Sequence, residues 1–126
     1  MKFKSITSIT AVLTFINAIL FLVLPGVTMS ILGGSLTSTG LMNTRISGAC
    51  ALGLSLVLWQ VRDIPPSRMQ TSISRIMLLI MLILVVVDLH GIFSSAVNQL
   101  GWIIFFTDFL VVVGFLLVVF TGTMKI

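Results

Sequence analysis

The stretch ISRIMLLIMLILVVVDLHGIFSS, residues 73–95, decides the fold. Residues 76–87 within it are apolar without interruption, and the whole stretch exceeds the roughly 20 residues that carry a helix across a bilayer. It then places Asp88 and His90 where apolar residues would be expected to continue. A carboxylate at a helix centre opposes insertion by about 2.5–3.5 kcal/mol, whereas each strongly apolar residue favours it by about 0.3–0.6 kcal/mol. The apolar run outweighs the carboxylate, so the segment reads as a span carrying a polar group that needs a partner.

Three further windows reach the same length: residues 5–24, 41–61 and 102–122. Outside the spans lie an uncharged segment at 25–40, a basic loop at 62–72 and a turn at 96–101. In the 126-residue chain 58% of residues are hydrophobic and 8% charged, where a soluble protein carries about a quarter charged residues. The expected fold is all-α: an integral membrane, antiparallel bundle of four transmembrane helices, one domain over residues 1–126. The basic start and apolar middle of residues 1–26 are signal-like, but the apolar run is long and no A-x-A site comes after it, which favours an uncleaved first span.

Basic residues flanking spans set topology. Lys2 and Lys4 precede the first span, Arg62, Arg68 and Arg75 surround the loop between the second and third, and Lys125 lies after the fourth. All six fall on one side, and the opposite side carries no charge. This predicts both termini and the Arg-rich loop in the cytoplasm. The net charge of +4 is dispersed along the chain without a basic, aromatic-interleaved stripe, so nucleic acid is not an expected partner. Trp59 and Trp102 fall near span ends, where amphipathic rings prefer to lie.

The connections carry their own signals. Pro25 and Gly26 end the first span, and Gly33 and Gly34 close the apolar segment after them, which is either a short interfacial helical turn or an ordinary loop. Pro65 and Pro66 forbid helix continuation, and Ser67 or Thr71 can begin the next helix. Cys50, the only cysteine, reads as a small core residue and excludes an intramolecular disulfide.

Two of the three acidic residues, Asp88 and Asp108, lie inside predicted spans, as does Arg45. Such groups normally face a bundle interior or a wet cavity. Counted from the outer helix ends, Asn17, Arg45, Asp88 and Asp108 lie about 6 to 12 Å deep at about 1.5 Å per residue. Each span thus contributes one polar group to a single layer. The expectation is a buried polar cluster in which Arg45 bridges Asp88 and Asp108 and Asn17 completes the network. Gly91 and Ser95 share the Asp88 stripe, and Gly48, Ala49 and Leu52 share the face of Arg45, so close helix approach is expected beside the charges. His90 points about 200° away from Asp88 around the helix, toward the outer interface, a neighbouring subunit or a ligand.

Bland readings stand beside these. The charges can form an ion network that only fixes helix register. Ser47, Ala51 and Ser55, four residues apart, mark helix packing; Met77 and Met81 are core or lipid-facing filler; Asp63 with Arg62 is a solvated loop pair. No Cys/His spacing suits a metal and no Gly-rich phosphate loop follows a strand. One histidine does not supply both axial ligands of a b-type haem, although His90 beside Gly91 could ligate one tetrapyrrole metal. No cofactor and no catalysis are expected.

The run NTRISGACALGLSLVLWQVRD at 43–63, a Pro-Ser-Arg loop and then NQLGW at 98–102 resemble small bacterial four-helix membrane proteins of the DoxX-like kind. Arg45 before Gly48 and Ala49, and Gly101 with Trp102 opening the fourth span, carry the likeness, which covers most of the chain from residue 24 onward. It implies a four-helix bundle but no activity; members linked to quinone-dependent sulfur oxidation are distant relatives. Asp88 is not carried over from it. The functional expectation is an accessory or binding subunit, in a homo-oligomer or a larger membrane complex. A dimeric proton-coupled transporter using Asp88 or Asp108, and a quinone-linked oxidoreductase subunit, are the alternatives.

Overall fold

The computed structural model describes residues 2–123, and over them the chain is all-helical. The elements are α1 (Phe3–Val23), α2 (Pro25–Ile31), α3 (Ser38–Val61), α4 (Arg68–Phe93) and α5 (Gly101–Thr123). All but α2 are long and apolar enough to cross a membrane. Helix boundaries reflect local chemistry. Leu24 leaves helical geometry and Pro25 starts α2, where its missing N–H is no loss. The segment at 25–40 thus contains a short helix, one of the two conformations its composition allowed. Thr37 caps α3 by accepting the Gly40 N–H at 3.1 Å, and Ser67 caps α4 by accepting the Gln70 N–H at 3.3 Å.

Two antiparallel pairs make up the fold. In the first, α3 packs along α1; in the second, α5 packs along α4; and the pairs meet where α1 runs beside α5. Ser55 Oγ donates to the Ala11 carbonyl at 2.7 Å, and a Cβ on Gly48 would stand 3.0 Å from atoms of Phe21 and Leu22, which fixes the antiparallel register of α1 and α3. Gly48 is what lets the two backbones come so near. One core cluster unites Phe3, Ile6 and Ala11 of α1, Leu58 of α3, Met77 and Met81 of α4, and Phe115 and Val118 of α5. Met77 and Met81 therefore fill the core.

The four long helices share one core as a helical bundle, in which the consecutive helices α3 and α4 are not a closely packed pair. The neighbour order is α3, α1, α5, α4. With apolar residues on every side of each helix, no narrow stripe commits a helix to two neighbours. Much apolar surface faces outward, including Leu110 (68% exposed), Val86 (65%) and Leu79 (60%). Cys50, expected in the core, is also exposed on α3. Of the small-residue series, Ser55 is buried at the α1 contact, but Ser47 is exposed and bonds only the Asn43 carbonyl of its own helix.

At the charge-free end, Asn98 ties α2 to the turn between α4 and α5. Its backbone N–H donates to the Leu32 carbonyl at 2.8 Å and its Nδ2 to the Ile31 carbonyl at 2.9 Å. Gly33, at φ +86°, permits this approach, because a Cβ there would sit 3.2 Å from the Asn98 Cβ.

Gly48→Leu should lower stability in mild detergent by about 1–3 kcal/mol, since the added side chain drives α1 and α3 apart. Gly53→Ala should be neutral or stabilise by up to about 1 kcal/mol, because nothing lies within 4 Å of a Cβ there. Thermal unfolding of the two variants side by side reads the difference.

Candidate functional site

Asp88 sits in the last third of α4 and Asp108 in the first third of α5, and antiparallel packing brings them level. Their carboxyl groups stand within hydrogen-bonding reach of each other. Both side chains are half-buried, and the Asp88 Oδ2 is buried without a donor among the described residues. Two carboxyl oxygens hydrogen-bond only with a proton between them, and two bare carboxylates at this separation repel. A proton shared between the two groups would relieve that repulsion. Above the pair, toward the start of α5, aromatic rings close the helix surface: Phe105 and Phe109 stack at 6.0 Å, and Trp102 meets Phe105 edge-on at 5.6 Å.

The other members of the expected layer are elsewhere. Arg45 is exposed on α3, and the ion pairs among the described residues, Lys4 with Asp63 and Arg62 with Asp63, do not involve it. It bridges neither Asp88 nor Asp108. Asn17 is likewise exposed on α1 rather than part of a buried network. The reason is geometric: equal depth along four helices says nothing of direction around them, and α3 packs on α1 rather than on α4 or α5. His90 is exposed on α4, and its hydrogen bond is through its backbone carbonyl to the Ser94 N–H.

Small residues near the carboxylates serve differently from their sequence reading. A Cβ on Gly91 would meet only Val97 Cγ2, at an ordinary 3.8 Å, whereas one on Gly101 would lie 2.6 Å from the same atom. Gly101 is thus the tight point between α5 and the preceding turn. Among the described residues, no three of His, Cys, Asp or Glu converge as a metal would require.

At the other end of the helices, Asp63 is not only Arg62's partner. Lys4 Nζ lies 2.7 Å from Asp63 Oδ1, and Arg62 Nε lies 3.5 Å from Oδ2. The Lys4 hydrogen bond, followed by the charges of Lys4 and Arg62, holds this exposed carboxyl below its ordinary value despite some desolvation. Because that value is lowered, the clasp between α1 and the α3–α4 loop is present at neutral pH and lost as pH falls through it. The Arg62 guanidinium also lies 3.8 Å over the Trp59 ring and donates to the Trp59 carbonyl. The Lys4 contact was not legible in the sequence, where 58 residues separate the two partners.

The fold and site together define an all-helical chain with four helices of membrane-crossing length and a carboxyl pair shared by two of them. No family model, no curated protein and no solved structure matches it.

Double-mutant cycles in mild detergent separate the two arrangements. Asp88→Asn and Asp108→Asn should be non-additive by about 0.5–3 kcal/mol, as expected of side chains in contact. Arg45→Gln with Asp88→Asn should be additive within about 0.5 kcal/mol. Strong coupling in the second cycle would restore the ion bridge.

Proposed function

We propose that the chain is a small proton-coupled membrane transporter, with the Asp88–Asp108 pair as its proton-bearing site. The observation that supports this reading is the contact between the carboxyl groups of Asp88 and Asp108, with no cation within ion-pair distance among the described residues. A carboxylate kept only to fix helix register would be better served by a cation, since an ion pair compensates both charges. A pair that shares one proton changes charge when the proton leaves, and charge inside a span is what couples a proton to movement. The pair belongs to one helix hairpin, while four short spans enclose little volume. The working form is accordingly an oligomer, a dimer in the simplest case.

In this reading the chain lies in a bacterial inner membrane with both termini in the cytoplasm. Its support is the one-sided distribution of Lys2, Lys4, Arg62, Arg68, Arg75 and Lys125, the last of which lies outside the described residues. We also assign the chain to the DoxX-like group on the motifs around Arg45 and Trp102, an assignment that carries no activity with it.

Arg45 favours a second reading, the accessory or binding subunit. An arginine on an outward face of a span opposes insertion by about 2.5–3.5 kcal/mol unless it reaches the interface or a partner. A partner helix carrying an acidic residue would neutralise it.

Purified protein in liposomes, under an imposed pH gradient with a trapped pH-sensitive dye, tests the transporter. Proton movement should fall to background in Asp88→Asn and in Asp108→Asn and persist in Arg45→Gln. Unchanged movement in both aspartate variants, or none in the wild type, would refute it. In the second reading, mild-detergent purification recovers a stoichiometric membrane partner that Arg45→Gln releases.

A further inference from the structure

A second candidate site lies far from the carboxyl pair. It is a cleft of about 700 Å³ at the basic end, where α1 begins, α3 ends, α4 begins and α5 ends. Asp88 is about 30 Å along α4 from Arg68 at about 1.5 Å per residue, so the cleft is a separate site. Four cations line it, Lys2, Lys4, Arg62 and Arg68, against one carboxylate, Asp63. That carboxylate is already engaged by Lys4 and Arg62, and Arg62 is further held on Trp59. Lys2 and Arg68 have no carboxylate partner among the described residues.

The walls differ in character. Phe3 and Val118 are buried apolar residues at the base, and Ile64 and Pro65 extend the apolar side. Thr71 and Gln70 bring polar groups from the first turns of α4, whose N-terminal N–H dipoles add positive potential to that of Arg68. An apolar base beneath an uncompensated pair of cations, at the end of membrane-length helices, suits an amphiphilic anion.

We propose that this cleft binds a phosphate group through Lys2 and Arg68, with Lys4 and Arg62 held in place behind them by Asp63. The shared chemistry is a phosphate oxyanion at the membrane boundary. It comes either from the headgroup of an anionic phospholipid, whose glycerol and first methylenes lie along Phe3 and Val118, or from free phosphate. Asp63 has a defined part: by engaging Lys4 and Arg62 it leaves Lys2 and Arg68 as the cations of the cleft without a carboxylate partner among the described residues. Basic clefts between helices at this level of a membrane are where anionic headgroups gain most from local cations, about 1 kcal/mol each.

The test uses the full chain in mild detergent, titrated with phosphatidylglycerol and phosphatidylcholine and read by native mass spectrometry. Phosphatidylglycerol should bind with one site per chain and in preference to phosphatidylcholine. Arg68→Gln should weaken it about fivefold, the ratio corresponding to one such cation, and Lys2→Gln by a similar factor. Arg75→Gln, a basic change outside the cleft, should leave it unchanged. Unliganded thermal unfolding reports whether each variant is folded, and the second cation variant carries the test if one is not. Inorganic phosphate is added at constant ionic strength. Displacement of phosphatidylglycerol by it assigns the site to free phosphate; persistence of the bound lipid assigns it to the headgroup. Equal binding of the two lipids together with no phosphate effect overturns the proposal. So does an Arg75→Gln loss as large as that of Arg68→Gln, which would make the attraction a diffuse surface effect.

Discussion

The seam between α1 and α5 makes one body of two helix hairpins. Elsewhere each hairpin packs within itself, α3 on α1 and α4 on α5, and only along this seam do the pairs join over any length. Small buried residues line α1: Thr7, Ala11 and Ala18 are fully buried or nearly so, Ala11 beside Ser55 of α3. Between apolar helices in an apolar solvent there is little hydrophobic drive to associate, so small side chains that admit close packing decide which faces meet. With α3 packed on α1 and α5 on α4, residues at equal depth on α3 and α4 are not brought together.

The contrast between Arg45 and the two aspartates has this origin. Helices α4 and α5 are joined by a short turn and run antiparallel, so residues at equal depth on them can meet, and Asp88 and Asp108 do. Arg45 has the same depth but belongs to a helix on the far side of α1. The same geometry opens the basic end: hairpins joined along one seam leave their remaining ends apart, and a cleft bounded by all four long helices results.

Depth along the chain was legible in the sequence, and direction around each helix was not. Hydropathy placed the four long helices within a few residues of their limits, Pro25 and Pro65 marked their breaks, and Ser67 was recognisable as a cap. The pairing of Asp88 with Asp108 was half-legible, since a short turn compels α4 and α5 to be neighbours. The bridging role of Arg45 was not, because apolar residues surround each helix and any face can be the packed one. A weighting of small residues would have helped: Gly48 and Ser55 share a face of α3 and both meet α1. The Lys4–Asp63 clasp joins residues whose nearness depends wholly on tertiary packing.

The two polar regions also differ in what surrounds them, and this separates their chemistry. Asp63 is exposed and has cations on two sides, so its charge is compensated locally and stays fixed at neutral pH. Asp88 and Asp108 are half-buried between α4 and α5 within hydrogen-bonding reach of each other, with no ion-pair partner among the described residues. A cation of atomic size would need further oxygen ligands, and no third carboxylate, cysteine or histidine converges on the pair among the described residues. The proton-bearing role proposed for the pair rests on this setting. The basic end, where positive charge exceeds the carboxylate that could neutralise it, is specialised for anions.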